Sequence, residues 1–378
     1  MKRTYVTPYN YLKLITVLAL FCIAMVCPTC HVSAQTIINP CVVSTGSESD
    51  LKKATTYRFT SNGNNIYPLK ITERGSISMN IRVTDPEFLN ISVYKKKDLS
   101  DLPRSISCQC TSYYGNRNTI NEYFEKGTYY IRFPENTYDI SCLLYSNAGK
   151  TLTSGKTIAA YSDYLHPTYF KYKAPADGYI KATESCLNET KDVPTTVLCN
   201  SKKKEITDML RNHESTDKIV YAVKKDHTYY IKTGALDLEK KAYYRIHLDF
   251  EKRKESSGSS KTKAKSIKLG STVKGTVFSE DNRNKYDWYK FTNPTKQYVS
   301  LEYNGSITSG VMLLEVSNSS GKIIYSYETV SWIGEKNKTV LLDKNKKAQL
   351  PKGTYYIRIS KSKKNASGIY SLKLSKSK

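Results

Sequence analysis

A seven-residue string that recurs along the chain is the strongest constraint on its fold. Gly127–Phe133 has the sequence GTYYIRF, and Gly353–Ile359 has the nearly identical sequence GTYYIRI. A weaker copy, HTYYIKT, lies between them at His227–Thr233. The first tyrosines of the copies, at positions 129, 229 and 355, are 100 and 126 residues apart. These spacings are the size of a domain and are too long for a solenoid repeat.

Each copy is surrounded by the same series of predicted strands. An alternating aromatic strand and a middle strand precede the copy, and a closing strand follows it. In chain order, the aromatic strands are Tyr57–Phe59, Tyr169–Tyr172 and Trp288–Phe291, the middle strands are Leu89–Tyr94, Thr195–Cys199 and Met312–Val316, and the closing strands are Ile140–Tyr145, Ala242–Phe250 and Gly368–Leu374. Four landmarks in one order predict one fold repeated three times.

The strand period indicates the architecture of each repeat. In the third copy, Tyr355, Ile357 and Ile359 share one face of the strand, and Tyr356 and Arg358 share the other. The first set is expected to face the core of a sandwich. Short strands, frequent turns and few stretches of 3.6 period predict an all-β protein of three tandem, jelly-roll-like β-sandwiches. The best helical candidate, residues 202–212, is short and could equally be a loop.

Composition suggests where the domains begin and end. We predict β-sandwich domains at residues 41–147, 155–250 and 264–376. Residues 251–263 form a linker rich in Ser, Gly and Lys, which is expected to be flexible and self-repelling. The third domain is therefore expected to move independently of the second.

The N-terminus has the features of an export signal. Positive residues precede a 13-residue apolar run at residues 14–26, and the small residues at 32–34 predict cleavage before Gln35. Residues 1–34 are thus a predicted signal peptide, and the mature protein is expected to be secreted or on a bacterial cell surface. An uncleaved signal that anchors the N-terminus in the membrane is the alternative. No later segment could span a bilayer, and the C-terminus has neither a hydrophobic tail nor a sorting signal of the Leu-Pro-x-Thr-Gly kind.

Six of the nine cysteines remain after signal cleavage, an even number that suits disulfides in an exported chain. Cys186 and Cys199 flank a 12-residue loop, and a bridge between them would stabilise the fold by about 3 kcal/mol. We predict this disulfide, because the alternative of a metal pair lacks a nearby histidine. The connectivity of the other four stays open; they are Cys41, Cys108, Cys110 and Cys142.

The third unit carries a more specific pattern over residues 264–375. Its residues are Ala264, Ser266, Ile267, Leu269, Gly270, Thr272, Val273, Gly275–Val277, Asp287–Tyr289, Phe291, Leu313, Val316, Gly321, Gly353–Ile359 and Gly368–Leu372. This pattern resembles the bacterial pre-peptidase C-terminal domain, found beside secreted proteases and collagenases. The resemblance implies a jelly-roll accessory module that binds without catalysis. The first two units look like degenerate relatives that lack the Asp-Trp-Tyr sequence.

Some collagen-binding members of that family hold Ca²⁺ between an acidic linker and the loop before Asp-Trp-Tyr. The loop candidates here are Ser279, Glu280, Asp281, Asn282 and Asp287, but the linker has Lys261, Lys263 and Lys265. Lysines would repel a divalent cation, so a solvated turn without metal is the favoured interpretation and no cofactor is expected.

The remaining signals concern catalysis and charge. His166, His213, His227 and His247 form no His-Glu-x-x-His motif, and no nucleophile elbow or phosphate loop is present. A non-catalytic protein is therefore expected. The 59 Lys and Arg residues outnumber 34 Asp and Glu residues, giving a net charge of +25. This charge either solubilises the surface or attracts extracellular polyanions; nucleic acid is a weaker candidate because the protein is exported.

Together these features predict a secreted or surface-bound protein that recognises an extracellular polymer or protein, such as a cell-wall polymer, a glycan or a matrix protein. The alternative is an accessory or targeting subunit of a separately encoded secreted peptidase. The ligand and the oligomeric state stay open. Some of the 32 tyrosines could form a flat binding face, although the sequence does not indicate which ones.

Overall fold

The computed structural model describes residues 30–31, 36–187, 194–210, 216–235, 237–329, 333–343, 345 and 349–377. Its regular structure is almost entirely β, which confirms the predicted fold class. The predicted signal peptide lies outside the described residues except for Cys30–His31, a short strand that pairs in parallel with Tyr57 and Arg58. The residues described contain no helix long and apolar enough to cross a membrane.

The first sandwich is a complete jelly roll. Its elements are β1 (Cys30–His31), β2 (Cys41–Val43), α1 (Glu48–Leu51), β3 (Thr56–Asn62), β4 (Ile66–Ile71), β5 (Gly75–Val83), β6 (Glu87–Tyr94), β7 (Arg104–Cys110), a 3₁₀ turn (Ser112–Tyr114), β8 (Arg117–Phe124), β9 (Gly127–Arg132) and β10 (Glu135–Ser146). One sheet has the order β1-β3-β10-β5-β8, with β2 also paired to β10, and the other has the order β4-β9-β6-β7. Successive strands from β3 to β6 alternate between the two sheets, and one apolar cluster fills the space between them.

The second sandwich keeps this topology but has no counterparts of β1, β2 and β7 among the described residues. Its strands are β11 (Lys156–Asp163), β12 (Thr168–Lys173), β13 (Gly178–Cys186), β14 (Thr195–Cys199), β15 (Thr216–Val223), β16 (Thr228–Gly234) and β17 (Lys241–Lys252). The sheets have the orders β11-β17-β13-β15 and β12-β16-β14. The helical candidate at 202–212 is not a helix over its described part, residues 202–210, where Glu205 and Leu210 bridge to β14 and cover its free edge. Pairing with an open strand edge prevails here over a weak helical preference.

The third sandwich has the same strand topology, with the short strand β18 added at the edge of one sheet. Its strands are β18 (Lys265–Ser266), β19 (Thr272–Val277), β20 (Asp287–Asn293), β21 (Val299–Ser309), β22 (Met312–Asn318), β23 (Ile323–Glu328), β24 (Ile333–Val340), β25 (Gly353–Lys361) and β26 (Ser367–Lys376). The sheets have the orders β18-β20-β25-β22-β23 and β19-β26-β21-β24. In β25 the side chains of Tyr355, Ile357 and Ile359 are buried, as the alternation predicts.

The three sandwiches share one strand plan, which supports the repeat identified in the sequence. The strand that carries Tyr-Tyr-Ile lies between two partners in every copy, in the orders β4-β9-β6, β12-β16-β14 and β20-β25-β22. One landmark was assigned wrongly: Tyr57–Phe59 lies in β3, which pairs with β10 in the opposite sheet. The partner of the Tyr-Tyr-Ile strand in the first copy is β4, in which Tyr67 faces Ile131. The sequence of β3 alternates aromatic and polar residues, whereas Tyr67 is the one aromatic residue of β4, so the alternation favoured the wrong strand and only the pairing identifies the partner.

Residues 147–378, together with 44–46, form one compact unit that contains the second and third sandwiches. The Thr308 hydroxyl donates to the carbonyl oxygen of Val220, and the amide of Ala222 donates to Ser367 Oγ at 3.1 Å. These bonds tie β15 to β21 and β26. They argue against the independent motion that the linker composition predicts for the third sandwich.

Candidate functional site

The predicted disulfide between Cys186 and Cys199 is absent, because Cys199 is a buried free thiol. The two cysteines end consecutive strands that lie in opposite sheets. Thr196 donates a hydrogen bond to Glu184 across the sandwich, so these two residues lie at the same level along the strands. Cys186 lies two residues from Glu184 toward the loop that connects the strands. Cys199 lies three residues from Thr196 in the opposite direction, away from that loop. At about 3.3 Å per residue the offset along the strands is roughly 16 Å. A disulfide requires the Cα atoms to lie within about 7 Å.

The four cysteines of the first sandwich are also free thiols. Burial raises the pKa of Cys108 and of Cys142 to about 12 in each case. Thiols with such pKa values react slowly, because the thiolate is the reactive form. Cys108 and Cys142 therefore behave as core residues.

The loop implicated in calcium binding by the family resemblance is occupied by a lysine. The Lys361 ammonium donates to the backbone carbonyl oxygens of Phe278 at 3.1 Å, Ser279 at 2.8 Å and Asp281 at 2.8 Å. Lys361 is buried, and its burial lowers the pKa to about 8, so it is largely charged at neutral pH. A positive charge thus already uses the oxygens that a metal ion would need.

The acidic side chains of the same loop are committed to other partners. Asp281 pairs with Lys224 at 2.6 Å and with Lys285 at 2.7 Å. Glu280 accepts hydrogen bonds from Tyr229 and from His227, and Glu280–His227 is 3.0 Å. The loop therefore does not fit a divalent cation and instead joins the third sandwich to the second. No three His, Cys, Asp or Glu side chains in the described part of the chain come together as metal ligands would.

Asp287 belongs to a separate buried cluster. Its carboxylate accepts a hydrogen bond from Tyr370 at 2.6 Å and another from Ser257 at 3.0 Å. Burial is the main reason that the pKa of Asp287 is raised to about 6, and the nearby charge of Glu255 adds to the effect. These bonds attach the segment around Ser257 to the sandwich, so Asp287 has a structural role.

In the third sandwich, polar and aromatic side chains lie together on the outer face of the sheet that contains the Tyr-Tyr-Ile strand, β25. The pair Lys290 and Tyr356 lies side by side on β20 and β25, next to the pair Thr292 and Thr354. The Lys261 ammonium lies 4.8 Å from the centre of the Tyr356 ring. Alternation places the side chains of the two strand pairs away from the core.

A groove of about 650 Å³ opens on this face, between the sheet and the chain that crosses from β18 to β19. We call it the third-sandwich groove. Its only charged lining residues are Lys268, Lys290 and Lys376, and its lining also includes Tyr356. None of the three lysines makes an ion pair with any carboxylate that the structure describes. The groove thus concentrates positive charge beside an aromatic ring and hydroxyl groups.

Sequence reasoning did not identify this groove. It assigned Tyr356 to an outer face by alternation, and the same rule places Lys290 there. Lys268 and Lys376, however, come from the turn after β18 and from the end of β26, about a hundred residues apart in the chain. Only the closure of the sandwich brings them together.

Comparison with known proteins gives one family match. The family described as "Secretion system C-terminal sorting domain" matches residues 291–368. This segment begins within β20 and ends at the second residue of β26, so it contains most of the third sandwich but omits β19 and most of β26. The match points to an exported protein, and the sequence analysis did not identify this similarity. No curated protein is significantly similar to this chain.

Solved structures resemble the chain only distantly. The pre-peptidase C-terminal domain of collagenase from Bacillus anthracis is 17% identical, with a TM-score of 0.24, over 33% of this chain and 99% of that domain. A triple jelly-roll protein of an archaeal virus is 10% identical, with a TM-score of 0.19, over 87% of this chain and 93% of that one. Likeness at this level carries no information about function.

Proposed function

We propose that this protein is an exported, non-catalytic binding protein whose third sandwich recognises an anionic extracellular polymer through the third-sandwich groove. The observation that carries the proposal is the set of three lysines without carboxylate partners among the described residues, gathered around one open groove. An extended acidic polysaccharide suits such a groove, because its carboxylates can meet the ammonium groups while its hydroxyls meet Thr292, Thr354 and the groove's aromatic ring.

Export is supported by two independent features. The sorting-domain match lies in the same sandwich as the groove. The basic and apolar pattern of residues 1–34 predicts a signal peptide at the other end of the chain. A protein with both features is expected outside the cytoplasm, where acidic wall and matrix polymers are the abundant polyanions.

The proposal of a non-catalytic role is supported by the surroundings of the histidines. His247 shares a hydrogen bond of 2.9 Å with Thr157 and lies 3.3 Å from Asp249, an arrangement that resembles a catalytic triad. The side chains of His247 and Asp249 are 36% and 53% exposed. Bulk water around such a row weakens the electrostatic effects on which nucleophilic catalysis depends.

Binding to alginate, a polyuronate, tests the groove. The purified protein should be retained on immobilised alginate at 50 mM NaCl, released as salt is raised, and not retained on neutral dextran. Replacing Lys268, Lys290 and Lys376 with Gln should weaken binding about tenfold, since each exposed charge contributes roughly 0.5 kcal/mol.

A matched control is available in the first sandwich. Residues 95–97 are three exposed lysines, and replacing them with Gln removes the same charge far from the groove in sequence. This variant should bind alginate within twofold of the unmodified protein. Equal losses in the two triple variants would mean that net charge alone drives binding, and the groove would then have no specific role.

A further inference from the structure

The second sandwich carries a fixed cation on the same sheet face that bears the groove in the third. Lys203 lies in the turn after β14, and its ammonium is 4.8 Å from the centre of the Tyr169 ring and 5.3 Å from that of Tyr230. Tyr169 and Tyr230 lie on neighbouring strands and are diagonal neighbours, two residues apart along the strand direction. A cation above two aromatic faces is attracted to both, so the position of this ammonium is held.

The backbone of Lys203 adopts a strained, left-handed conformation in the turn from which its side chain reaches the two rings. Its φ angle is +59°, in the left-handed region that side chains other than Asn, Asp and Gly rarely adopt. The turn is held by Asn200, whose carbonyl accepts from the Lys203 amide at 2.9 Å and whose side chain accepts from the amides of Lys202 and Lys204. Glycine would adopt this φ without strain, so replacing Lys203 with Gly can remove the side chain while keeping the turn.

The surroundings of Lys203 are basic. Lys171 lies opposite Tyr230, and Lys232 lies opposite Tyr169, on the same face of the sheet. Lys232 is paired with Glu205 at 2.8 Å. Lys171 and Lys203 have no carboxylate partner among the residues that the structure describes. The two tyrosine hydroxyls make no hydrogen bond with described residues and can donate to a ligand.

We propose that Lys203, Lys171, Lys232, Tyr169 and Tyr230 form a second anion-binding site, which takes a carboxylate group of the same acidic polysaccharide. The fixed ammonium and two phenol groups would surround one carboxylate, with Lys171 at its side. The identity of the polymer rests on the proposed function of the groove, but the site itself does not. Two sites on one compact unit make the protein bivalent for a long polymer, which increases affinity by raising the effective concentration at the second site.

Replacing Lys203 with Gly separates binding from folding. The variant loses the ammonium, but glycine adopts a positive φ without strain, so the melting temperature should be unchanged or higher. Binding to alginate and to a uronate trisaccharide, both measured by calorimetry on the full chain at 50 mM NaCl, should weaken at least threefold. The control is Lys202→Ala, which removes an equal charge from the same turn without touching either ring, and should bind within twofold of the unmodified protein.

Replacing both tyrosines with leucine provides a second test. Tyr169→Leu/Tyr230→Leu should weaken alginate binding as much as Lys203→Gly does, and adding Lys203→Gly to this variant should cause no further loss, because the rings and the ammonium act as one unit. Equal effects of Lys203→Gly and Lys202→Ala, or no effect of either, would overturn the inference.

Failure of the second site and failure of the groove give different results. If the groove triple variant loses binding and Lys203→Gly does not, the groove stands alone and the inference is wrong. If Lys203→Gly loses binding and the groove triple variant does not, the second site is the binding site and the proposed role of the groove is wrong.

Discussion

Two identical chemical changes in the third sandwich are expected to have opposite effects on its stability. Tyr303 and Tyr370 are both buried, on the paired strands β21 and β26. The Tyr303 hydroxyl is buried and has no hydrogen-bond partner among the described residues, whereas the Tyr370 hydroxyl donates to Asp287 at 2.6 Å. Replacing either residue with Phe removes only the hydroxyl group.

The magnitudes follow from the partners. Burying a hydroxyl without a partner costs about 1–3 kcal/mol, so Tyr303→Phe should raise the free energy of unfolding by about 1 kcal/mol. A hydrogen bond to a charged group contributes about 1.5–3 kcal/mol, so Tyr370→Phe should lower it by about 2 kcal/mol. Tyr289, which shares a 3.0 Å hydrogen bond with Tyr370, would lose its acceptor as well.

Tryptophan fluorescence during urea unfolding measures this sandwich within the full chain. Both tryptophans of the protein, Trp288 and Trp332, belong to the third repeat. With a denaturant slope of about 1–2 kcal/mol/M, the midpoint should rise by about 0.5–1 M in Tyr303→Phe and fall by about 1–2 M in Tyr370→Phe. A fall in both variants would refute the assignment of the Tyr303 hydroxyl as an unpaired, destabilising group.

Three further predictions concern the same compact unit. Because burial raises the pKa of Asp287 from 3.8 to about 6, the folded state keeps a proton that the unfolded state releases, so the unfolding free energy should fall as pH rises from about 4 to 6. In Asp287→Asn the urea midpoints at pH 4, 5 and 6 should vary less, and an unchanged slope would assign the effect to other groups. Gly275→Ala would drive its Cβ into the ring of Tyr370, so the same assay should show that the free energy of unfolding falls by about 3 kcal/mol. A urea midpoint within roughly 0.2 M of the unmodified protein would contradict the packing. Asp208 accepts from the Gly310 amide at 3.0 Å across the junction of the two sandwiches; Asp208→Ala should speed limited proteolysis within residues 252–265 several-fold, and an equal cleavage rate would mean that this contact does not hold the junction.

The alternation of residues along the sequence was enough to predict features that depend only on neighbouring residues in the chain. Alternation in GTYYIRI correctly separates the buried Tyr355 from the outward Tyr356, because neighbouring side chains of any strand point to opposite faces. The third copy and its partner strand were identified correctly for the same reason. In the first copy, β3 alternates aromatic and polar residues and β4 does not, so the alternation pointed to β3 although the partner is β4.

The groups that meet across the sandwiches could not be predicted in this way. Lys361 enters the loop around Asp281 from a strand some eighty residues later, and its ammonium binds the backbone oxygens of a loop that the sequence alone left as a solvated turn. Lys203 reaches its two tyrosines only because Asn200 closes a left-handed turn.

The amino-acid sequence by itself determined that this chain is a basic, all-β protein built from three related sandwiches, because strand period, composition and repetition are local properties. The tertiary structure decided which lysines share a groove, which cysteines stay apart and which side chain occupies the loop around Asp281. These outcomes depend on the packing of two sheets and on the pairing of distant strands, and such contacts are set by the whole fold.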